Sequence, residues 1–189
     1  MTGHNPSHAA VPRSVVSPAG APSAASVSGE LSEEYDIRIA RDGTWFYHGT
    51  AITRKPLVKL FSTVLRRDSA GDFWLITPAE RGRIQVDDAP FVAVELTVSG
   101  HARDQELAFR TNVDDVVVAG PDHHISVMAD RATQSLRPYI HVRNRLDALI
   151  ARPVYYQLVE LGAEETLDGE VRQYGVWSRN RFFPLGRLE

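Results

Sequence analysis

The sequence predicts an α+β protein with two small sheet-plus-helix domains behind an N-terminal tail. Most of the chain after residue 35 consists of short apolar–polar alternations bounded by Gly, Pro and Asp, which is typical of half-buried strands. Two segments instead have apolar residues at helical spacing. Both open with the pattern apolar, two spacers, basic, Pro, apolar, which indicates a duplicated unit.

Composition excludes several kinds of function. The 189 residues include 21 Lys and Arg against 24 Asp and Glu, and the net charge of −3 gives no electrostatic support for a nucleic-acid or membrane partner. The absence of cysteine excludes disulfides, thiol catalysis and thiolate metal sites. We expect no nucleic acid, no membrane, no metal and no cofactor, and the sequence leaves a homo-oligomer open.

Residues 1–30 are predicted to be a disordered tail. They contain six Ala, six Ser, four Pro, three Gly and no aromatic residue. Such a segment cannot bury enough apolar surface to offset the entropy of ordering it. It also has no continuous apolar stretch after a basic start, so we expect no export signal and a cytoplasmic location.

The first domain is predicted to begin with a hairpin. Residues 36–40 alternate like a strand, the dipeptide Asp42-Gly43 is a hairpin-turn signal, and residues 45–49 return as the second strand.

A helix is expected next. Apolar residues between 57 and 65 lie at i, i+3, i+4, i+7 and i+8 and form one stripe. Thr53 is a candidate N-cap, and Pro56 then falls in the first turn, where its missing N–H is harmless. Arg66 and Arg67 would lie at the negative C-terminal end of the helix.

The rest of the chain predicts a series of strands and a second helix. The helical zone opens near Asp147 and continues behind Pro153. The predicted strands cover residues 73–77, 81–86, 91–98, 107–113, 116–119, 125–128, 139–142 and 171–178.

The register of two neighbouring strands can be predicted from their apolar faces. Both faces must point to one core, and pairing Val98 with Leu107 achieves this along both strands. That register places Glu95 opposite Arg110, with Asn112 diagonal to the pair.

A polar row across four strands follows from the same argument. If residues 88–90 form the loop of a hairpin, Arg83 lies opposite Glu95, and a further turn places Trp74 beside Arg83. The expected row therefore contains Trp74, Arg83, Glu95 and Arg110.

Two interpretations of this row remain open. It could be an exposed cross-strand ion network, which contributes little stability. It could also be a platform for an anion, in which two guanidinium groups bind a phosphate and the Trp ring stacks a base. The acidic pairs Asp87-Asp88 and Asp114-Asp115 lie beside turns, and we interpret them as turn-forming side chains.

Several segments resemble a bacterial family catalogued as domain of unknown function 1285. The segments are GTWFYHG (43–49), RKPLVKLF (54–61), FRTNVDD (109–115), GPDH (120–123), YIHVR (139–143), ARPVYY (151–156), WS (177–178) and FFPLG (182–186). The likeness covers residues 31 to 186. It implies a duplicated α+β fold whose second domain is superficially like a pleckstrin-homology domain, and a nucleotide-like ligand between the domains, with a role in signalling or stress response.

We therefore expect a non-enzymatic ligand-binding or signalling protein that holds a small anionic, nucleotide-like ligand at the interface of two domains, 31–93 and 94–189. One alternative is a protein-interaction module without a small ligand. Another is a hydrolase with Glu95 or His141 as acid or base, although no catalytic motif supports it. The expected ligand-binding residues are Arg54, Lys55, Trp74, Arg83, Glu95, Arg110, Asn112, Arg143, Arg152 and Trp177.

Deleting residues 1–30 should leave the melting temperature unchanged within error, because their composition provides no side chains for a core. Differential scanning calorimetry of the full and shortened chains checks this. A fall of several degrees in the shortened chain would contradict it.

Overall fold

The computed structural model describes residues 32–130, 133–167 and 171–188, so the predicted tail lies outside the described residues. The helices and strands are, in chain order, β1 (Ser32–Ile39), β2 (Trp45–Tyr47), β3 (Thr50–Ala51), α1 (Lys55–Val64), β4 (Leu65–Arg67), β5 (Phe73–Ile76), β6 (Arg81–Val86), β7 (Phe91–Ser99), β8 (Glu106–Thr111), β9 (Val116–Val118), β10 (Ile125–Ala129), β11 (Leu136–Arg143), β12 (Leu146–Ile150), α2 (Arg152–Glu160), β13 (Ala163–Leu167), β14 (Val171–Ser178) and β15 (Arg181–Arg187).

The strands within these ranges form three sheets. The first has the order β3-β2-β1-β6-β5-β4, and the second has the order β10-β11-β12-β7-β8-β9. Each contains one parallel pair, β1 with β6 and β12 with β7, among antiparallel neighbours. The third sheet, β13-β14-β15, is antiparallel. The predicted α+β class is confirmed.

The order of elements around the two helices is repeated, as expected for a duplicated unit. An antiparallel strand pair precedes each helix, and an antiparallel three-stranded meander follows it. Pro56 and Pro153 lie in the first turn of α1 and α2, where neither ring removes a hydrogen bond from the helix.

The third sheet curls back onto the second through Ser178, which is completely buried. Its hydroxyl donates to the carbonyl of Ala119 at 2.8 Å and accepts from the backbone N–H of Leu107 at 3.1 Å. These bonds satisfy backbone groups at the point where the sheets meet. The buried apolar residues of both domains form one continuous core.

The ends of the first helix differ from the prediction. Arg54, not Thr53, is the N-cap of α1, and no side chain caps it. The helix ends at Val64, because Leu65 is buried in the core as the first residue of β4, where it pairs with Leu75. Arg66 therefore lies in a strand, yet its guanidinium still donates to the Thr63 carbonyl at 2.9 Å.

The second helix and the C-terminus also differ from the prediction. Asp147 lies in β12, whose side chains alternate between buried and half-buried, and α2 begins only at Arg152. The last described strand is β15, which follows β14 through a two-residue turn. Arg179 and Asn180 both have positive φ in this turn, as a tight hairpin requires.

The predicted register of β7 and β8 is correct from Val98 to Glu95 and then shifts by one residue. Ala93 pairs with Thr111, and Val94 forms a bulge. The register shifts because Phe91 and Ala93 must both be buried where β7 lies between β12 and β8. A one-residue shift is what moves the apolar face from even to odd positions.

The predicted pairing of β6 with β7 is wrong. β6 lies between β1 and β5 in the first sheet, whereas β7 lies between β12 and β8 in the second. The short connection at 87–90 is therefore a crossing between sheets and not a hairpin loop. Arg83 does not face Glu95, and the expected polar row is divided into two separate pairs. The expected boundary at residue 93 lies inside β7.

Gly43 lies where the hairpin of the first domain touches the second domain. Its φ is +83°, and a Cβ at this position would lie 2.5 Å from Nδ2 of Asn112 and 3.0 Å from a methyl group of Val92. Gly49 also has a positive φ, +73°, but a Cβ there would meet nothing within 4 Å.

Gly43→Ala should therefore destabilise the protein more than Gly49→Ala. Both substitutions strain the backbone by about 1–2 kcal/mol, and Gly43→Ala adds a steric conflict of about 1–3 kcal/mol. Urea denaturation of both variants measures the difference. Equal midpoints would contradict the close approach at Gly43.

Candidate functional site

Helix α1 directs two lysines toward the second domain. Lys55 and Lys59 are four residues apart, so they lie on the same side of the helix. Lys55 Nζ is 2.7 Å from Oδ1 of Asp114, and Lys59 Nζ is 3.2 Å from Oδ2. Asp114 follows β8 at a position with φ of +66°, in the left-handed region that aspartate tolerates better than most residues.

Arg110 of β8 completes the group. Its Nη1 is 3.3 Å from Oδ1 of Asp114, and its Nε donates to Oε2 of Glu95 at 2.7 Å. We call Lys55, Lys59, Arg110, Asp114 and Glu95 the cationic cluster. Three cationic side chains from two domains thus surround two carboxylates.

The cluster is accessible from solvent and has an excess of positive charge. The side chains of Lys55, Lys59 and Arg110 are 55%, 48% and 40% exposed. Arg54, which precedes Lys55, adds a further cation that makes no ion pair within the described residues. The hydrogen bonds from Lys55 and Lys59 hold the pKa of Asp114 below its usual value.

Two further predicted residues join the domains through hydrogen bonds to protein groups. Arg143 pairs with Asp115 and donates through Nη2 to the carbonyl of Ser62 in α1 at 2.9 Å. Asn112 accepts from the N–H of Val92 at 3.0 Å and donates to the carbonyl of Gly43 at 3.2 Å. Asn112 is thus paired with Val92, and the side chains of Arg143 and Asn112 position the site.

Trp74 and Arg83 form a pair on the first sheet, away from Glu95 and Arg110. The Trp74 ring lies 4.0 Å from the guanidinium carbon of Arg81, and its Nε1 donates to Asp68 at 2.8 Å. Arg83 is 3.6 Å from Asp72. The stacking face expected on Trp74 is therefore occupied by an arginine.

Arg152 and Trp177 lie in other parts of the second domain. Arg152 starts α2 and borders a separate groove together with Tyr156. The guanidinium carbon of Arg103 lies 4.4 Å from the centre of the Trp177 ring, and Nε1 of Trp177 donates to Glu165 at 3.0 Å. Neither residue belongs to the contacts of the cationic cluster.

A cavity lined by residues of both domains is unsuited to an anion. This cavity of about 220 Å³ is bordered by Arg67 of the first domain and by Asp88, Tyr139 and Asp147 of the second. Asp88 accepts from the Tyr139 hydroxyl at 2.7 Å, and Asp147 is 2.8 Å from Nδ1 of His141. The two carboxylates would repel a phosphate.

Sequence reasoning missed Lys59 and Asp114. One signal was available, because Lys55 and Lys59 are the only two lysines of the chain and have helical i, i+4 spacing. The interpretation of the acidic pairs as turn formers was incomplete. All four carboxylates have cationic partners that are distant in sequence or lie across the turn: Arg38 for Asp87, Arg137 for Asp88, Lys55 for Asp114 and Arg143 for Asp115.

Two family models cover nearly the whole described chain. The domain of unknown function (DUF1285), N-terminal domain, matches residues 26–89, and the protein of unknown function (DUF1285), C-terminal domain, matches residues 90–185. The chain belongs to the DUF1285 family. This confirms the resemblance inferred from the sequence segments, and the two models meet at the crossing between β6 and β7.

Two solved structures of this family are similar to the chain. A DUF1285 family protein from Silicibacter pomeroyi is 49% identical, with 82% of each chain covered and a TM-score of 0.76. A DUF1285 family protein from Shewanella baltica is 25% identical, with 68% of this chain and 94% of that chain covered and a TM-score of 0.53. No curated protein matches the chain.

Two features are absent from the ranges that the structure describes. Neither described helix has the length and apolar character needed to cross a membrane. Within the same ranges, no three histidine or carboxylate side chains converge closely enough to hold a metal ion.

Asp114→Asn should destabilise the protein at pH 7 and lose this effect in acid. The folded pKa of Asp114 is lowered, so its contribution is present above the unfolded pKa, about 3.9, and is lost as the pH falls through the folded pKa. Asparagine tolerates the positive φ at this position, so the substitution tests the charge. Urea midpoints of both proteins between pH 7 and acid measure the effect.

Asp122→Asn, in an exposed turn, is the matched control and should resemble the wild type at every pH. A deficit of Asp114→Asn that is as large in strong acid as at pH 7 would contradict the electrostatic explanation.

Proposed function

We propose that this protein is a ligand-binding protein that holds a small anionic, nucleotide-like molecule at the interface of its two domains. The observation that carries the proposal is the cationic cluster, to which α1 of the first domain contributes Lys55 and Lys59 and β8 of the second contributes Arg110. A phosphate bound there would contact both domains.

The chemistry of the three cations suits a phosphoryl group. Arginine can offer two parallel N–H donors to a phosphate, and the lysine ammonium groups act as mobile point charges. Asp114 and Glu95 now occupy these donors, and their exposure means that a ligand oxygen can compete with them. Because exposed ion pairs contribute about 0–1 kcal/mol each, replacing them is not prohibitive.

The biological role that fits such binding is signal transduction in the bacterial cytoplasm, where nucleotides and phosphorylated metabolites are abundant. A ligand that contacts both domains binds only the folded arrangement, so it stabilises that arrangement by mass action. This provides a physical output for a sensor that carries out no reaction.

The two lysines provide a direct test, since they and the N-terminal amine are the only primary amines of the chain. A thermal-shift screen over pyrophosphate and nucleoside mono-, di- and triphosphates selects a ligand. An amine-reactive reagent is then applied with and without it. We expect the ligand to slow the labelling of Lys55 and Lys59, while labelling of the N-terminal amine is unchanged.

Substitutions test the same site through affinity. Lys59→Gln and Arg110→Gln should each weaken binding of the selected ligand about tenfold, since each removes a charge-assisted hydrogen bond. Arg172→Gln is the matched control, because Arg172 is also an exposed cation and pairs with Glu164 in the third sheet. Equal affinities for all three variants, or absence of any hit in the screen, would overturn the proposal.

A further inference from the structure

A groove lies between α1 and the sheet of the first domain. Its volume is about 440 Å³, within the range of small-molecule sites. Three aromatic rings line it, those of Tyr35 and Tyr47 from β1 and β2 and that of Phe61 from α1. Aliphatic side chains from β1, α1, β5 and the segment before α1 complete the lining. The groove is thus an apolar site with a substantial aromatic share.

The back of the groove is part of the core. The Phe61 ring stacks on Trp45, with centroids 6.0 Å apart and planes inclined by 25°. Trp45 is 1% exposed, so its ring is held in place. The Tyr47 ring centroid lies 4.1 Å from that of His48, but Tyr47 is 53% exposed, so part of its ring remains open to a molecule in the groove. The rings can therefore bind a flat molecule by offset or edge-to-face contacts.

The charge of the groove lining indicates which charge a bound molecule should carry. Glu80, in the turn after β5, is the one charged side chain among the described residues that line the groove. An anion would meet this carboxylate with no lining cation to compensate. A positive charge would gain from both Glu80 and the faces of the aromatic rings.

We propose that this groove binds a small aromatic compound that is neutral or carries one positive charge. The site is separate from the cationic cluster and has the opposite charge preference. The two lie on different faces of the same helix, with Leu57 and Phe61 facing the groove and Lys55 and Lys59 facing the second domain.

Two dyes with the same ring system test both parts of the proposal on the full chain. N-phenyl-1-naphthylamine is neutral, and 8-anilino-1-naphthalenesulfonate carries an added sulfonate. Direct excitation of each dye reports binding through its emission. We expect the neutral dye to bind about fivefold or more tightly than the sulfonate, and Glu80→Gln to reduce this preference.

Substitutions that fill the groove with a larger side chain test whether the neutral dye binds there. Leu57→Trp places a large ring in the lining and should weaken binding of the neutral dye at least about tenfold. Leu60→Trp is the matched control, since Leu60 is on the same helix but is 60% exposed and outside the lining. Val64→Phe is a second filling variant if Leu57→Trp does not fold. Lys59→Gln should leave dye binding unchanged, which separates this site from the cationic cluster.

Three results would overturn the proposal. The first is absence of binding of the neutral dye to the wild type. The second is equal binding by the Leu57→Trp and Leu60→Trp variants, or by the two dyes. The third is a loss of hydrogen-exchange protection in residues 1–31 when the neutral dye is added, since that would mean the chain's own N-terminal segment occupies the groove.

Discussion

The turn from residue 111 to residue 115 is the constraint on which the arrangement of the two domains depends. Thr111 and Asp115 close it, with the Thr111 N–H donating to the Asp115 carbonyl at 2.8 Å. From this short segment, Asn112 reaches Gly43, and the two aspartates reach the lysines of α1 and Arg143. One turn thus fixes the hairpin and the helix of the first domain against the second sheet.

The turn can do this because two of its side chains, Thr111 and Val113, are buried while its charges are exposed. Thr111 is completely buried and Val113 is 2% exposed, so the backbone is anchored by burial of the side chains on either side of Asn112. The ion pairs of Asp114 are exposed and individually weak. Stability therefore depends mainly on the anchored backbone, and the charged partners can change without loss of the fold. This is the property that an anion site at the cationic cluster requires.

The local features of the sequence predicted the local structure, and the errors lie where distant segments meet. The hairpin at Asp42-Gly43 and the prolines of both helices depend only on backbone preferences, and these were correct. The pair of Glu95 with Arg110 follows from alternation within one hairpin, and it was also correct. The parallel pairs β1–β6 and β12–β7 join segments that no short-range pattern connects, so the position of Arg83 was wrong. The bulge at Val94 arises from a change of neighbours along β7, which alternation alone cannot indicate.

The sequence did not reveal the role of the α1 lysines for the same reason, because their partner lies far away in the chain. The apolar stripe of the helix was visible in the sequence, but its polar face was uninformative until Asp114 was brought to it from 59 residues away in the chain. Once both faces are assigned, contacts on two sides restrict the rotation of α1 about its axis. Turning the helix to move Lys59 would carry Phe61 away from Trp45, and shifting Phe61 would separate the lysines from Asp114. The packing of Phe61 on Trp45 therefore also sets the position of the lysines. Side-chain truncations leave the helix in place, so they are the changes able to separate the contributions of the cationic cluster and the aromatic groove.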